Sequence, residues 1–229
     1  MTYNKFLEER KKVLDKEYWE IIDQWQLYVG KYNLARTINN IELIKNSIKI
    51  PGDIIEFGCW KGSNLMLISK VLEIYAPMTM KHVYGFDLFE GLDFFAPEDG
   101  SAKLEKGKYK GDDLHLEKII SLFDLNEKTK LVKGNIMETL PKFIKENSYI
   151  KLSVVFIDTD LYDSTKIILN TLSKHLVKGG IFVLDEWNTE KYPGETIATS
   201  EFLEENGELF KLRSVENSLQ PSLIIEKIK

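Results

Sequence analysis

The sequence predicts an α/β fold, a Rossmann-like, doubly wound and mostly parallel seven-stranded sheet with N-terminal helices and an antiparallel C-terminal hairpin. Three observations predict it. Short apolar runs alternate with helical patterns five times between residues 53 and 205, which is how crossover connections build a parallel sheet. SVVFID (153–158) and IFVLDE (181–186) are apolar at nearly every position rather than at alternate ones, as strands covered on both faces are. LFKLRS and SLIIEKI then close the chain with no room for a helix between them, so they pair as a hairpin.

Taken in order, residues 5–29 carry Phe6, Val13, Leu14, Trp19, Ile22, Trp25 and Val29 among many charges, the pattern of one or two amphipathic helices. Leu34, Ile38, Ile41, Leu43 and Ile44 continue that pattern until Pro51-Gly52 stops it. Residues 1–50 are therefore expected to be a helical segment packing on a core domain of residues 51–229. In that domain IIEF forms the first strand, and Ser63 opens and caps a helix running through Ile74. HVYGFD (82–87) is the second strand. Residues 88–113 hold four glycines and many charges, and a loop of that length inside a domain commonly acts as a lid. A helix over Leu114 to Phe123, a strand over Lys130 to Lys133 and a short helix over Met137 to Lys145 follow. After SVVFID a helix spans Ser164 to Leu176, closed by Lys178-Gly179-Gly180. IFVLDE and a helix over Thr196 to Glu205 lead to the hairpin.

The chain has 229 residues, 43% hydrophobic and 29% charged, the balance of an ordinary globular domain. No run of 18 apolar residues occurs, so a transmembrane helix is not expected. MTYNKFLEERKK has neither the apolar core nor the cleavage site of a secretory signal. One cysteine, Cys59, excludes an internal disulfide and a cysteine zinc cage. It fits a reducing, cytoplasmic location. A net charge of −5 argues against nucleic acid as partner. The N-terminal stretch is left open between covering the core, building a homo-oligomer and forming part of an acceptor pocket.

Ligands of such sheets lie beyond the carboxyl ends of the strands. The first strand ends in Glu56-Phe57-Gly58-Cys59-Trp60-Lys61-Gly62-Ser63, a glycine turn that leads into a helix whose free N–H groups can receive an anion. Glu56 is placed to bind an ammonium group, and Trp60 to wall the pocket, as is Trp187 further on. Asp87, ending the second strand, suits two ribose hydroxyls. Asn135 suits an adenine edge and Ile136 its face. G-x-G-x-x-G is missing, because position 60 is Trp and 61 is Lys, so a dinucleotide fingerprint fails. Asp158-Thr159-Asp160 and Asp185-Glu186-Trp187 end neighbouring strands about 4.8 Å apart. Carboxylates so crowded repel unless protonated or compensated, and Mg²⁺ is a hard cation that takes such oxygens. A metal there would also hold two vicinal hydroxyls and acidify one. Asp163 reads as a helix cap. Of the histidines, His82 and His175 read as structural, and His115 stands beside the lid; Cys59 reads as packing.

PGDIIEFGCWKGSN, YGFDLFEGL, KGNIMETLP, IDTDLYDST and GGIFVLDEW, in that order from about Leu34 to Phe202, resemble the macrocin O-methyltransferase family. The resemblance implies a class I S-adenosylmethionine-dependent methyltransferase fold and Mg²⁺-dependent methylation of a sugar hydroxyl. It implies that Glu56, Gly58 and Gly62 form the loop at the cofactor's methionine end; Trp60, Ser63 and Asp158 are further candidates to contact the cofactor. Asp87 would hold its ribose, and Asn135 and Ile136 its adenine. Asp158, Asp185 and Glu186 would hold the metal, and Asp158 or Asp160 would take the hydroxyl proton. The family reads D-D where this chain has Asp185-Glu186, and D-G-D where it has Asp158-Thr159-Asp160. Residues 1–33 and 92–113 do not transfer, so the acceptor stays open. Three rival readings remain at this point: a metal-independent methyltransferase, an NAD-dependent oxidoreductase, and a non-catalytic cofactor-binding protein.

Overall fold

The computed structural model describes residues 5, 8, 9, 12 and 19–229. Phe6, Val13 and Leu14, from the first predicted amphipathic stretch, lie outside them. Two short helices, α1 (Trp19–Asp23) and α2 (Trp25–Tyr28), precede the long α3 (Lys31–Ser47). The core then runs β1 (Asp53–Phe57), α4 (Ser63–Tyr75), β2 (Val83–Asp87), α5 (Asp113–Leu122), β3 (Thr129–Lys133), α6 (Ile136–Glu146) and β4 (Leu152–Ile157). It closes with α7 (Tyr162–Leu172), β5 (Leu176–Leu184), α8 (Pro193–Asn206), β6 (Phe210–Ser214) and β7 (Leu223–Lys227).

The seven strands lie in the order β3-β2-β1-β4-β5-β7-β6. The first five are parallel, and β7 pairs antiparallel with both β5 and β6. The predicted hairpin is therefore present at one edge. Successive residues of each parallel strand feed opposite faces. On β1, Ile54 joins a cluster with Leu65, Ile68 and Val154, under α3, α4 and α5. Ile55 and Phe57 join Phe86, Leu140 and Phe182 on the other face, under α6, α7 and α8. All these side chains are buried, and each contributes about 2 kcal/mol by leaving water. This double burial is why the strands read as unbroken apolar runs. The shared direction of β1 to β5 brings the carboxyl ends of these five strands to one edge of the layer.

Three boundaries differ from the expectations. Ser63 begins α4 but does not cap it; the cap position is Gly62, in left-handed conformation at φ 82°. The helix after β4 starts at Tyr162 and stops at Leu172. Lys178-Gly179-Gly180 lies inside β5 rather than ending a helix. There Leu176 pairs with Leu152 and Ile181 with Val154, so the strand bulges between them, and Gly179 takes φ 81°.

The segment at 88–113 has a backbone structure of its own. Two 3₁₀ turns, broken by a kink at Gly100, cover Pro97–Glu105. Asp99 is fully buried and accepts hydrogen bonds from the amides of Ala96 and Tyr162, both at 2.7 Å. The Tyr109 hydroxyl lies 3.0 Å from that of Tyr192. These contacts dock the segment on the starts of α7 and α8, beside the carboxyl ends of the strands. Among the described residues, no helix is long and apolar enough to cross a membrane.

Candidate active site

The turn after β1 sets the geometry. Gly58, Trp60 and Gly62 all have positive φ, at 85°, 48° and 82°. A Cβ at Gly58 would stand 1.8 Å from the Asp158 carbonyl oxygen, so glycine lets the β1 and β4 ends close on each other. The turn aims the Trp60 amide at Asp87, and the chain just after Asp87 aims a second amide at it. Trp60 N donates to its Oδ2 and Phe89 N to its Oδ1, each at 2.6 Å. Asp87 thus ties the first turn to the start of the 88–113 segment. Cys59 is buried with its thiol against the carbonyls of Glu56 and Phe86. Burial, reinforced by the Glu56 charge, raises its pKa well above normal, so it packs rather than reacts, as expected.

A cleft of about 260 Å³ opens over these strand ends. Of the expected cofactor residues, Gly58, Trp60, Asp87, Asn135, Ile136 and Asp158 line it. Glu56, Gly62 and Ser63 do not. Asn135 caps α6, its Oδ1 accepting from Met137 N at 3.0 Å, while still facing the cleft. Trp60 packs edge-on against Tyr109 at 5.7 Å; Trp187 packs on the apolar core instead. Asp163 faces the cleft from the first turn of α7 and does not cap that helix, because the cap position is Leu161.

Glu56 lies in a small adjoining cavity with Arg36, Asn40, Asn64, Asp158 and Asp185. Its Oε1 accepts from Asn64 at 2.9 Å, and its buried Oε2 has no partner. Burial pushes its pKa up to about 8.

Asp158, Asp160, Asp185 and Glu186 all face the main cleft. Arg36, from α3, reaches into this group. Its Nη2 lies 2.8 Å from Asp158 Oδ2 and 2.9 Å from Asp185 Oδ1. Its Nη1 lies 3.5 Å from Gln220 Oε1, and Gln220 Nε2 donates to Glu186 Oε1 at 2.5 Å. Burial works against the Arg36 charge, but Asp185 and Asp158 outweigh it and hold the guanidinium pKa above its usual value. One cation does not settle four acids. Burial, then the Asp158 charge, keeps Asp160 and Asp185 well above the ordinary carboxylate range; burial raises Asp158 and Glu186 as well. Behind them Glu195, fully buried, accepts from the Glu186 amide at 2.7 Å and leaves Oε2 unpartnered.

A family model described as macrocin-O-methyltransferase (TylF) matches residues 7–217. The chain belongs to the macrocin O-methyltransferase family. A curated relative, the 8-demethyl-8-(2,3-dimethoxy-alpha-L-rhamnosyl)-tetracenomycin-C 4'-O-methyltransferase of Streptomyces olivaceus, is 26% identical over 145 residues. That match spans 60% of this chain and about half, 54%, of the relative's length. Among solved structures, the calicheamicin methyltransferase CalS11 aligns with a TM-score of 0.80 at 23% identity, over 97% of this chain and 90% of its own. The O-methyltransferase NovP aligns at 0.72 and 20%, over 85% and 80%. These similarities establish the class I methyltransferase fold for this family member.

The residues suit the cofactor the family implies, and they suit its metal in donor type but not in their present arrangement. Asp87 faces the cleft where a ribose diol would lie, and the unpartnered Glu56 Oε2 lacks the kind of donor an ammonium group provides. The acids offer hard oxygen donors, and a cation, the Arg36 guanidinium, already stands between two of them. As they stand, no three acidic, histidine or cysteine side chains among the described residues form a metal cage; Arg36 and Gln220 hold them otherwise. Arg36 and Gln220 are functional-site residues that motif reading missed. For Arg36 a signal was available: the chain has three arginines against 28 lysines, so an arginine within a helix implies a fork-shaped partner rather than a solvated charge.

Proposed function

We propose that this protein transfers the methyl group of S-adenosylmethionine to a hydroxyl of a sugar or glycosylated small molecule, with Mg²⁺ assisting. The observation that carries the reading is the convergence of Asp87, Asp158, Asp160, Asp185 and Glu186 on one cleft beside the β1 glycine turn. The relatives named above support the sugar as acceptor, since the curated one acts on a rhamnosyl group by its name.

Bound S-adenosylmethionine supplies the methyl group, and a bound Mg²⁺ supplies Lewis acidity that makes an acceptor hydroxyl easier to deprotonate. Asp87 would accept both ribose hydroxyls while keeping its two amide donors, since a carboxylate has about four acceptor sites. Gly58 and Trp60, with Gly62 and Ser63 behind them, shape the turn around the methionine end. Glu56 would receive the ammonium group, and Asn135 and Ile136 the adenine. Asp158, Asp185 and Glu186 would hold the metal. Asp158 would be taken up as a metal ligand, which leaves Asp160 as the better base; burial and the Asp158 charge raise its pKa, which suits it to take a proton once ionised. The 88–113 segment would exclude water from the reacting atoms.

The test is direct. Purified protein is incubated with S-adenosylmethionine, Mg²⁺ and a panel of nucleotide-linked deoxysugars and rhamnosides, and products are read by mass spectrometry. One added methyl group per product, with matching S-adenosylhomocysteine, is expected. Cofactor binding without methylation of any sugar tested would falsify the reading and favour a non-catalytic pocket.

A further inference from the structure

Arg36 is a cation placed where the proposed metal would have to be. It comes from α3, outside the sheet, and its Nη2 lies 2.8 and 2.9 Å from oxygens of Asp158 and Asp185. Through Gln220 the same guanidinium is connected to Glu186. All three expected metal ligands are thus held, directly or at one remove, by one side chain. A magnesium ion bonds oxygens at about 2.0–2.1 Å. An ion bridging the two aspartates would need the same two oxygens that Nη2 now engages, so the two cations draw on one pair of acceptors.

The arrangement also provides for release. The Arg36 side chain keeps 32% of its surface exposed, so solvent is within reach if it swings away. The carboxylates would stay compensated, because a divalent ion brings more charge than the guanidinium it replaces. Asn40, one turn further along α3, donates to Asn64 Oδ1 at 2.8 Å, which anchors the helix independently of Arg36.

We propose that Arg36 is a displaceable counter-cation: a divalent ion takes the Asp158–Asp185 position only by expelling the guanidinium, so Arg36 and metal compete for one site. This rests on the metal reading of that site, but its test does not depend on methyl transfer. Mn²⁺, a Mg²⁺ substitute visible by electron paramagnetic resonance, is titrated into the wild-type protein, Arg36→Gln and Arg36→Lys. Competition predicts Mn²⁺ binding at least about tenfold tighter in Arg36→Gln, with Arg36→Lys between, since an ammonium cannot bridge both aspartates as the guanidinium does. An arginine that merely braces the acids predicts the opposite sign, because its loss would loosen them. Equal or weaker binding in the variants, or none in any of the three proteins, overturns the proposal. Arg36→Lys keeps the charge, so it provides the comparison if Arg36→Gln fails to fold. A protein that shows this competition yet methylates no sugar would refute the proposed activity and leave the competition standing.

Discussion

At the amino ends of the central strands the buried charge is Lys81; at their carboxyl ends it is a group of acids facing Arg36. Lys81, buried just before β2, donates to the carbonyls of Ile50 and Gly52 and to Ser153 Oγ. Those acceptors tie the turn before β1 to β4. At the opposite end one arginine pairs with two of four clustered acids, and Glu56 and Glu195 each keep a buried oxygen without a partner. Unsatisfied buried oxygens cost stability. One end uses a charge to close the structure. The other leaves charge and acceptors unmatched beside a cleft, the arrangement expected where a ligand completes the set.

Two glycines sharpen the contrast from its strongest side. Gly58→Ala would require a left-handed alanine with its Cβ driven into the Asp158 backbone. The β1 and β4 ends would have to part, a loss of at least about 4 kcal/mol, a large share of a typical margin of about 5–15 kcal/mol. The expected outcome is little soluble protein, or a sharply lowered melting temperature and no cofactor binding by calorimetry. A variant that melts like the parent would refute the close-packed junction.

Next in size is Asp158→Asn. It keeps shape but removes both a proposed metal ligand and one side of the Arg36 bridge. Arg36 retains Asp185, so stability should fall by only about 1 kcal/mol. Methyl transfer should fall about 10²–10⁴-fold, read from initial rates alongside a thermal melt. A large melt shift with undiminished turnover would make this acid structural, like Lys81.

The acidic half of this contrast was legible in the sequence, for a physical reason. A parallel strand buried on both faces announces itself as an apolar run, and the first charged residue after it marks the strand end. That locates Asp87, Asp158 and Asp185 without coordinates. Arg36 was hidden because helical periodicity says which residues face away from solvent, not which neighbour a polar one meets across 122 positions of chain. Lys178-Gly179-Gly180 misled in another way. Glycine ends helices and also permits bulges, and only the pairing of Leu176 with Leu152 decides between them. Asn135 does two things at once, capping α6 and facing the cleft, so its type alone could not separate those readings.

The two ends should also titrate in opposite directions. Glu56 has a pKa of about 8 when folded and about 4.5 when unfolded. Between those values the folded state holds a proton that the unfolded state lacks, so its contribution to stability declines as pH rises from about 4.5 to 8. Lys81 is lowered to about 8 by burial, against 10.5 when unfolded. Between about pH 8 and 10.5 the unfolded state holds the extra proton, so stability recovers there. Denaturant titrations across pH should show Glu56→Gln flattening the first arm, by a few kcal/mol at most. Lys81→Met should flatten the second. Parallel pH curves for parent and both variants would remove the titration contrast.

The smallest expected effect comes from the glycine that matches Gly58 in conformation but not in surroundings. Gly179 has φ 81°, yet the nearest atom to an added Cβ is Ile50 Cδ1 at 3.9 Å, an ordinary contact. Gly179→Ala therefore meets only the backbone cost of a left-handed alanine, about 1–2 kcal/mol, with turnover per folded molecule unchanged. Denaturant unfolding and initial rates check both halves. Because φ is nearly equal at the two positions, the difference between their losses isolates how closely β1 and β4 approach at the site end. If Gly179→Ala proved as damaging as Gly58→Ala, backbone conformation alone would account for both, and the tight junction would lose its claim to shape the cleft.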